Sequence, residues 1–225
     1  MFHWGGENQD GKLNTMDVFT IPPTGLQWLN GVPTIQAREK HGADSYNGKF
    51  YVMGGQDSLG NYLDRLEIFD VENKTWSMGS NMITPKSLFS TARSGQFIYI
   101  WGGVGPSGIS SDIMIYDTNT DTFSHKADIP ENKYKHSHAS IAVGEPPSGK
   151  IYTFGGKDEG GLILNDVDVY SIYNRSFSDA SKSITSRYGH TASLVDSKIY
   201  LWGGVTGNEE VLNSLEKRLS DLENE

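Results

Sequence analysis

The chain contains no cysteine. That absence excludes disulfides, thiolate nucleophiles and Cys-ligated metals together, and it fits a reducing compartment. Basic residues are also scarce, 19 Lys and Arg against 28 Asp and Glu, for a net charge of -9. With no local run of Lys or Arg, that balance repels polyphosphate and argues against nucleic-acid binding. Long apolar runs are missing too. No stretch approaches the roughly 20 apolar residues of a membrane span. The start, Met1-Phe2-His3-Trp4-Gly5, has neither a basic nor an apolar signal-peptide region. The expectation is a cytoplasmic protein without membrane contact. Under it, the sequons at Asn73-Lys74-Thr75 and Asn174-Arg175-Ser176 are chance matches.

What the chain has in abundance is glycine, 26 in 225 residues. Five glycine doublets recur: Gly5-Gly6, Gly54-Gly55, Gly102-Gly103, Gly155-Gly156 and Gly203-Gly204, at steps of 49, 48, 53 and 48 residues. A unit of about 50 residues is the size of one β-propeller blade. Three residues before each doublet stands an aromatic: Phe2, Tyr51, Tyr99, Tyr152 and Tyr200. The runs into it, such as Phe97-Ile98-Tyr99-Ile100-Trp101, are strand-like. A second aromatic follows in an alternating run (Phe19, Phe69, Tyr116, Tyr170), then polar turn residues, then a third aromatic opening another strand (Trp28, Trp76, Phe123, Phe177). A fourth short strand begins near His41, Phe89, His138 and His190. Four short strands per unit make one antiparallel blade, and a blade exposes both faces until neighbours stack on it.

These elements resemble the kelch repeat. The matching features are the double glycine, the aromatic three before it, the Tyr-Asp ending the next strand, the aromatic beyond it, and Arg-x-x-His before the following unit. The last appears as Arg38-Glu39-Lys40-His41 and Arg187-Tyr188-Gly189-His190, and in relaxed form as Lys86 to Phe89 and Lys135 to His138. The resemblance covers about residues 1 to 205. It implies an all-β, kelch-type propeller over 1–206, with four to five blades represented in an incomplete ring. With strands a to d and the doublet ending strand b, the chain reads as b-c-d, three full blades and a final a-b. Such an open ring is read as a fragment, a truncated product or a chain that closes on another copy.

Beyond Gly207 the pattern changes. Leu212, Leu215, Leu219 and Leu222 are spaced 3-4-3, a heptad seam over about two turns of repeat. The expectation for 207–225 is an amphipathic helix, either docked on the propeller or frayed in solvent, or else starting a coiled coil that makes a homo-oligomer. A kelch region followed by a coiled coil is similar to the cell-end polarity proteins.

The resemblance implies a scaffold that binds another protein, with no catalysis and no cofactor. Alternating strand direction brings b–c and d–a loops to one face. There a series of cations, Arg38, Lys86, Lys135 and Arg187, is a candidate for holding an acidic partner; the alternative is that each pairs locally within its repeat. Variable b–c loops add Gln56, Asp57, Asp158 and Glu159 as candidate contacts. No metal site is assigned: His136 and His138, two apart on a strand, share a side but lack a third ligand. The competing reading is an iron-dependent lyase, because Asp117, Asp121 and His125 resemble the iron-ligand spacing of nitrile-specifier proteins. A truncated propeller without independent function is the third.

Overall fold

The computed structural model describes residues 2–20, 27–110, 112–130, 135–180, 184–196, 198–213 and 215–218. Every regular element among them is a β-strand. The chain divides into two compact units, Met1–Ser87 and Leu88–Glu225.

The first unit holds two sheets. One pairs β1 (Phe2–Trp4), β4 (Met16–Thr20) and β5 (Gln27–Asn30); between its first two strands lies a hairpin of β2 (Glu7–Asn8) and β3 (Gly11–Lys12). The other is the four-stranded meander β6 (Gly42–Tyr46), β7 (Lys49–Met53), β8 (Leu66–Asp70) and β9 (Thr75–Met78).

The second unit holds three sheets. The third sheet of the chain runs β10 (Ser90–Ser94), β11 (Phe97–Trp101), β14 (Asp112–Asp117) and β15 (Thr122–Asp128), with a hairpin of β12 (Val104–Gly105) and β13 (Gly108–Ile109) between its middle strands. The fourth runs β16 (Ala139–Val143), β17 (Lys150–Phe154), β18 (Val167–Ser171) and β19 (Ser176–Asp179). The fifth runs β20 (Thr191–Val195), β21 (Lys198–Trp202) and β22 (Leu215–Arg218). Among the described residues all pairings are antiparallel and each blade sheet takes its strands in chain order, as in kelch propeller blades.

Each doublet directly follows a strand: β1, β7, β11, β17 and β21 all end at the residue before it. Gly102 and Gly103, at φ 60° and 89°, turn the chain where few L-residues go. The turn also makes room. A Cβ on Gly102 would lie 2.4 Å from the Lys135 carbonyl and 3.1 Å from the His138 ring, and one on Gly156 would lie 2.9 Å from the His138 Cβ. The doublets are therefore clefts for the Arg-x-x-His segment.

Sheet-on-sheet packing supplies the core. In the second unit, Tyr99, Trp101, Ile113 and Ile115 pack with Ile151, Tyr170 and Ile172. Tyr152, Phe154, Val167 and Val169 pack with Ile184, Ile199 and Leu201. Alternation along its strands gives the fourth sheet two apolar faces, Ile151 and Tyr170 toward the third sheet and Tyr152, Phe154, Val167 and Val169 toward the fifth.

The expected C-terminal helix is corrected at residues 215–218. These residues form β22, pairing with β21 from Ile199↔Arg218 to Trp202↔Leu215. Leu215 stands 11 residues after Gly204, as Leu66 stands after Gly55 and Val167 after Gly156, and Leu212 N–H donates to the Gly204 carbonyl as Leu63 does to Gly55 and Leu164 to Gly156. The blade repeat continues through this segment to a-b-c. Four ladder positions on a waiting strand outweigh a two-heptad helix, which is marginal alone. Leu215 thus sits on a strand and Leu212 in the loop before it, so they do not form a helical seam; Leu219 and Leu222 lie outside the described residues.

Candidate binding face

The d–a turns and b–c loops meet edge to edge by backbone pairing. In the first unit Gln56 bridges both Glu39 and Tyr62. In the second, Lys157 bridges His136 and Ile163, and Val205 bridges Tyr188 and Val211. The expected grouping of these two loop sets therefore holds within each unit.

Inside the first-unit loop the Asp57 carboxylate accepts N–H bonds from Leu59 and Asn61, both at 2.9 Å, and one from Asn61 Nδ2 at 3.0 Å. The Asn61 side chain leads in holding this carboxyl below the usual range. Gly60 follows the loop round at φ 82°. Gln56 donates to the Gly60 carbonyl. The result lifts Leu59 to 85% exposure.

The second unit repeats the device. Asp158 accepts from Leu162 N–H at 2.8 Å, Gly161 turns at φ 82°, Glu159 is exposed, and Leu162 is 65% exposed. Lys157 Nζ sits 3.7 Å from the centroid of the Tyr188 ring, a cation–π contact. In the last loop Thr206 replaces the Asp and takes the Asn208 N–H, and Val211 is 76% exposed. Gln56, Asp57 and Asp158 thus hold loop shape, while Leu59, Leu162 and Val211 stand out. The sequence reading passed over these three apolar residues; their signal is an apolar side chain inside an otherwise polar turn.

The cation series is corrected. Arg38, Lys86, Lys135 and Arg187 are 0–1% exposed, so none presents its charge to a partner. Arg38 pairs with buried Glu67 and donates to the Gly54 carbonyl at 3.0 Å. Burial pulls the Arg38 guanidinium below its ordinary value, with Glu67 opposing. Lys135 lies 2.5 Å from Asp168 and 3.2 Å from Asp166. Arg187 donates to the Gly203 carbonyl at 3.0 Å. Their carbonyls serve as well: Gly6, Gly55, Gly103 and Gly156 donate to Arg38, Lys86, Lys135 and Arg187 respectively. The series is an internal clamp between consecutive repeats. The clue lay in strand c, where Glu67 and Asp168 are acids on an otherwise apolar run.

His136 and His138 do not share a side. Between them Ser137 adopts φ 54°, which breaks the expected strand. His138 goes inward and its Nε2 lies 2.7 Å from Ser90 Oγ; His136 Nδ1 lies 3.0 Å from Ser137 Oγ. Nor do Asp117, Asp121 and His125 converge. The register sets His125 opposite Met114 and Asp117 opposite Thr122, three ladder steps or about 10 Å apart. Asp121 accepts from Tyr116 Oη at 2.8 Å, and His125 lies 3.1 Å from Asp128. Among the described residues there is no cluster of three potential metal ligands.

Comparison with known proteins agrees with this architecture. Residues 1–220 match the model of the Attractin/LZTR1 beta-propeller. The chain is 24% identical to alpha-scruin of Limulus polyphemus over 184 residues, 77% of this chain and 19% of that one. It is 25% identical to the human Kelch repeat and BTB domain-containing protein 12 over 240 residues, 95% of this chain and 38% of that one. With rat Kelch-like protein 7 it shares 31% over 117 residues, 52% of this chain and 20% of that one. The chain thus spans between 19% and 38% of the length of these relatives. No helix among the described residues is long and apolar enough to cross a membrane. Five doublet-ended strands, meander sheets and a family match over nearly the whole chain lead to one assignment: the chain belongs to the kelch-type Attractin/LZTR1 beta-propeller family.

Proposed function

We propose that this chain is a non-catalytic binding module that engages another protein through its b–c loops and the d–a turns bridged to them. The observation that carries the reading is the exposure of Leu59, Leu162 and Val211 on loops whose backbones are fixed by paired bridges. A tip already held in shape loses little entropy on binding, and apolar side chains ringed by polar ones are the usual core of a protein contact. With the cations buried in the clamp, contact rests on these apolar tips, with exposed Glu159 and the Lys157–Tyr188 stack beside them in the second unit.

The test is affinity capture with the wild-type chain, a Leu59→Asp/Leu162→Asp/Val211→Asp variant, and a control, Tyr173→Ser, on a c–d turn at the opposite strand ends. Loss of the captured proteins with the triple variant alone is the expected result. Equal capture by all three would move the interaction off these loops.

A further inference from the structure

The b–c loops of the fourth and fifth sheets, residues 157–164 and 205–212, make one surface. Lys157 stacks on the Tyr188 ring, Tyr188 pairs with Val205, and Val205 pairs with Val211. A Cβ on Gly207 would lie 3.8 Å from Ile163 Cγ1, so the two loops touch. The apolar tips Leu162 and Val211 stand on this surface, and the exposed charges of the two loops are Glu159, Glu209 and Glu210. Glu209 takes φ 60° at the turn position that Gly60 and Gly161 hold at 82°, its N–H donating to the Thr206 carbonyl at 3.0 Å as theirs do to Asp57 and Asp158. A carboxylate side chain thus takes the place of glycine two residues before Val211. The cations beside the loops are spent inward. Arg187 and Lys135 are buried in the clamp, and Lys157 is half-buried with its ammonium 3.7 Å from the Tyr188 ring centroid. Burial first, then Lys157, push half-buried His136 below the ordinary histidine value, with Asp158 opposing, so it adds no charge at neutral pH.

Resting on the reading of these loops as a binding face, we propose that the partner segment seated here carries Lys or Arg beside apolar side chains. Charge complementarity chooses this occupant. Leu162 and Val211 need apolar atoms opposite them, and a partner side chain at the edge of that contact meets Glu159, Glu209 or Glu210. An ammonium or guanidinium gains a partner there, whereas a carboxylate or phosphate meets like charge. The three carboxylates have no ion-pair partner among the described residues, so an incoming cation displaces none. Each exposed pair contributes only a few-fold in affinity, and more in encounter rate and choice of partner. The apolar tips supply the rest of the contact.

Fluorescence anisotropy with two labelled peptides of equal length, one of Leu and Lys and one of Leu and Glu, tests this on the whole chain. The loop variant is Glu159→Lys/Glu210→Lys. The control is Glu145→Lys/Asp196→Lys, which has the same net charge but changes exposed acids on a–b turns at the opposite strand ends. Wild type is expected to bind the Lys peptide. The loop variant is expected to weaken it by at least about 5-fold in about 50 mM salt, and less in about 500 mM, while the control changes it by less than about 2-fold. If the loop variant does not fold by circular dichroism, Glu159→Gln/Glu210→Gln takes its place, with weakening in the same direction. Equal weakening by loop variant and control, equal binding of the two peptides, or no binding of the Lys peptide would each overturn the proposal. The affinity capture described above separates the two readings. Proteins lost with the Leu59, Leu162 and Val211 variant but kept by Glu159→Lys/Glu210→Lys would overturn this inference alone, whereas capture indifferent to the apolar tips would overturn the loop reading beneath it.

Discussion

Lys135 and Asp168 are both fully buried and their charged groups lie 2.5 Å apart. A cation from the d–a turn thereby meets an acid from strand c of the sheet that follows it, as Arg38 meets Glu67 in the first unit. Such a pair is worth little against an apolar replacement of the same shape, but a lone buried charge is expensive. Lys135→Met removes the cation beside buried Asp168 and is expected to cost about 3–5 kcal/mol in urea unfolding. Asp168→Asn costs less, because Asp166 remains 3.2 Å from the ammonium. The double change Lys135→Met/Asp168→Leu recovers most of the loss. A double variant as unstable as Lys135→Met would mean the charges do more than compensate each other.

Two inward histidines make stability fall in mild acid. Burial, with Lys135, His190 and His136 nearby, pushes His138 well below the ordinary histidine value, and burial beside Arg187 and Lys135 pushes His190 down to about 4. Both are neutral in the fold, while the unfolded chain takes up their protons near pH 6.5. Stability is therefore fully present above about pH 6.5, declines as the pH falls, and for His190 levels off near 4. The His190 share over that window is on the order of 3 kcal/mol. Phe89 occupies the same slot in the third sheet and is buried there, so His190→Phe should keep the fold. Urea midpoints of the two chains between pH 7.5 and 4.5 should diverge on the acid side; parallel profiles would mean His190 titrates as in water.

The fold was legible because its signal is periodic. Doublets mark strand ends, and the start of strand a near His41, Phe89, His138 and His190 came within one residue of β6, β10, β16 and β20. The site was less legible because burial is not periodic in sequence. Arg38 and Lys135 look like surface charges until strand c brings Glu67 and Asp168 against them. The single left-handed residue Ser137 sends His138 inward, and spacing alone does not reveal such a turn. The leucine spacing at 212–222 competed with the blade offset, and at 215–218 the offset won because β21 offered a ladder.

The left-handed position inside the Arg-x-x-His turn separates backbone strain from crowding. Lys40, Leu88 and Ser137 adopt φ 54°, 56° and 54° there, and Gly189 adopts 64°. A Cβ on Gly189 would meet nothing within 4 Å. Gly189→Ala therefore pays only for the left-handed conformation, about 1 kcal/mol. Gly102 has nearly the same φ, 60°, but its Cβ would be driven to 2.4 Å from the Lys135 carbonyl. That carbonyl also accepts the Gly103 N–H and cannot withdraw without breaking the clamp. Gly102→Ala is expected to cost about 3 kcal/mol or more, on the scale of an overpacked core. Thermal or urea unfolding of the two single variants measures the difference. Equal losses would show that the doublet is glycine for its backbone angle alone, and that the cleft for the next repeat's turn is not what excludes a side chain.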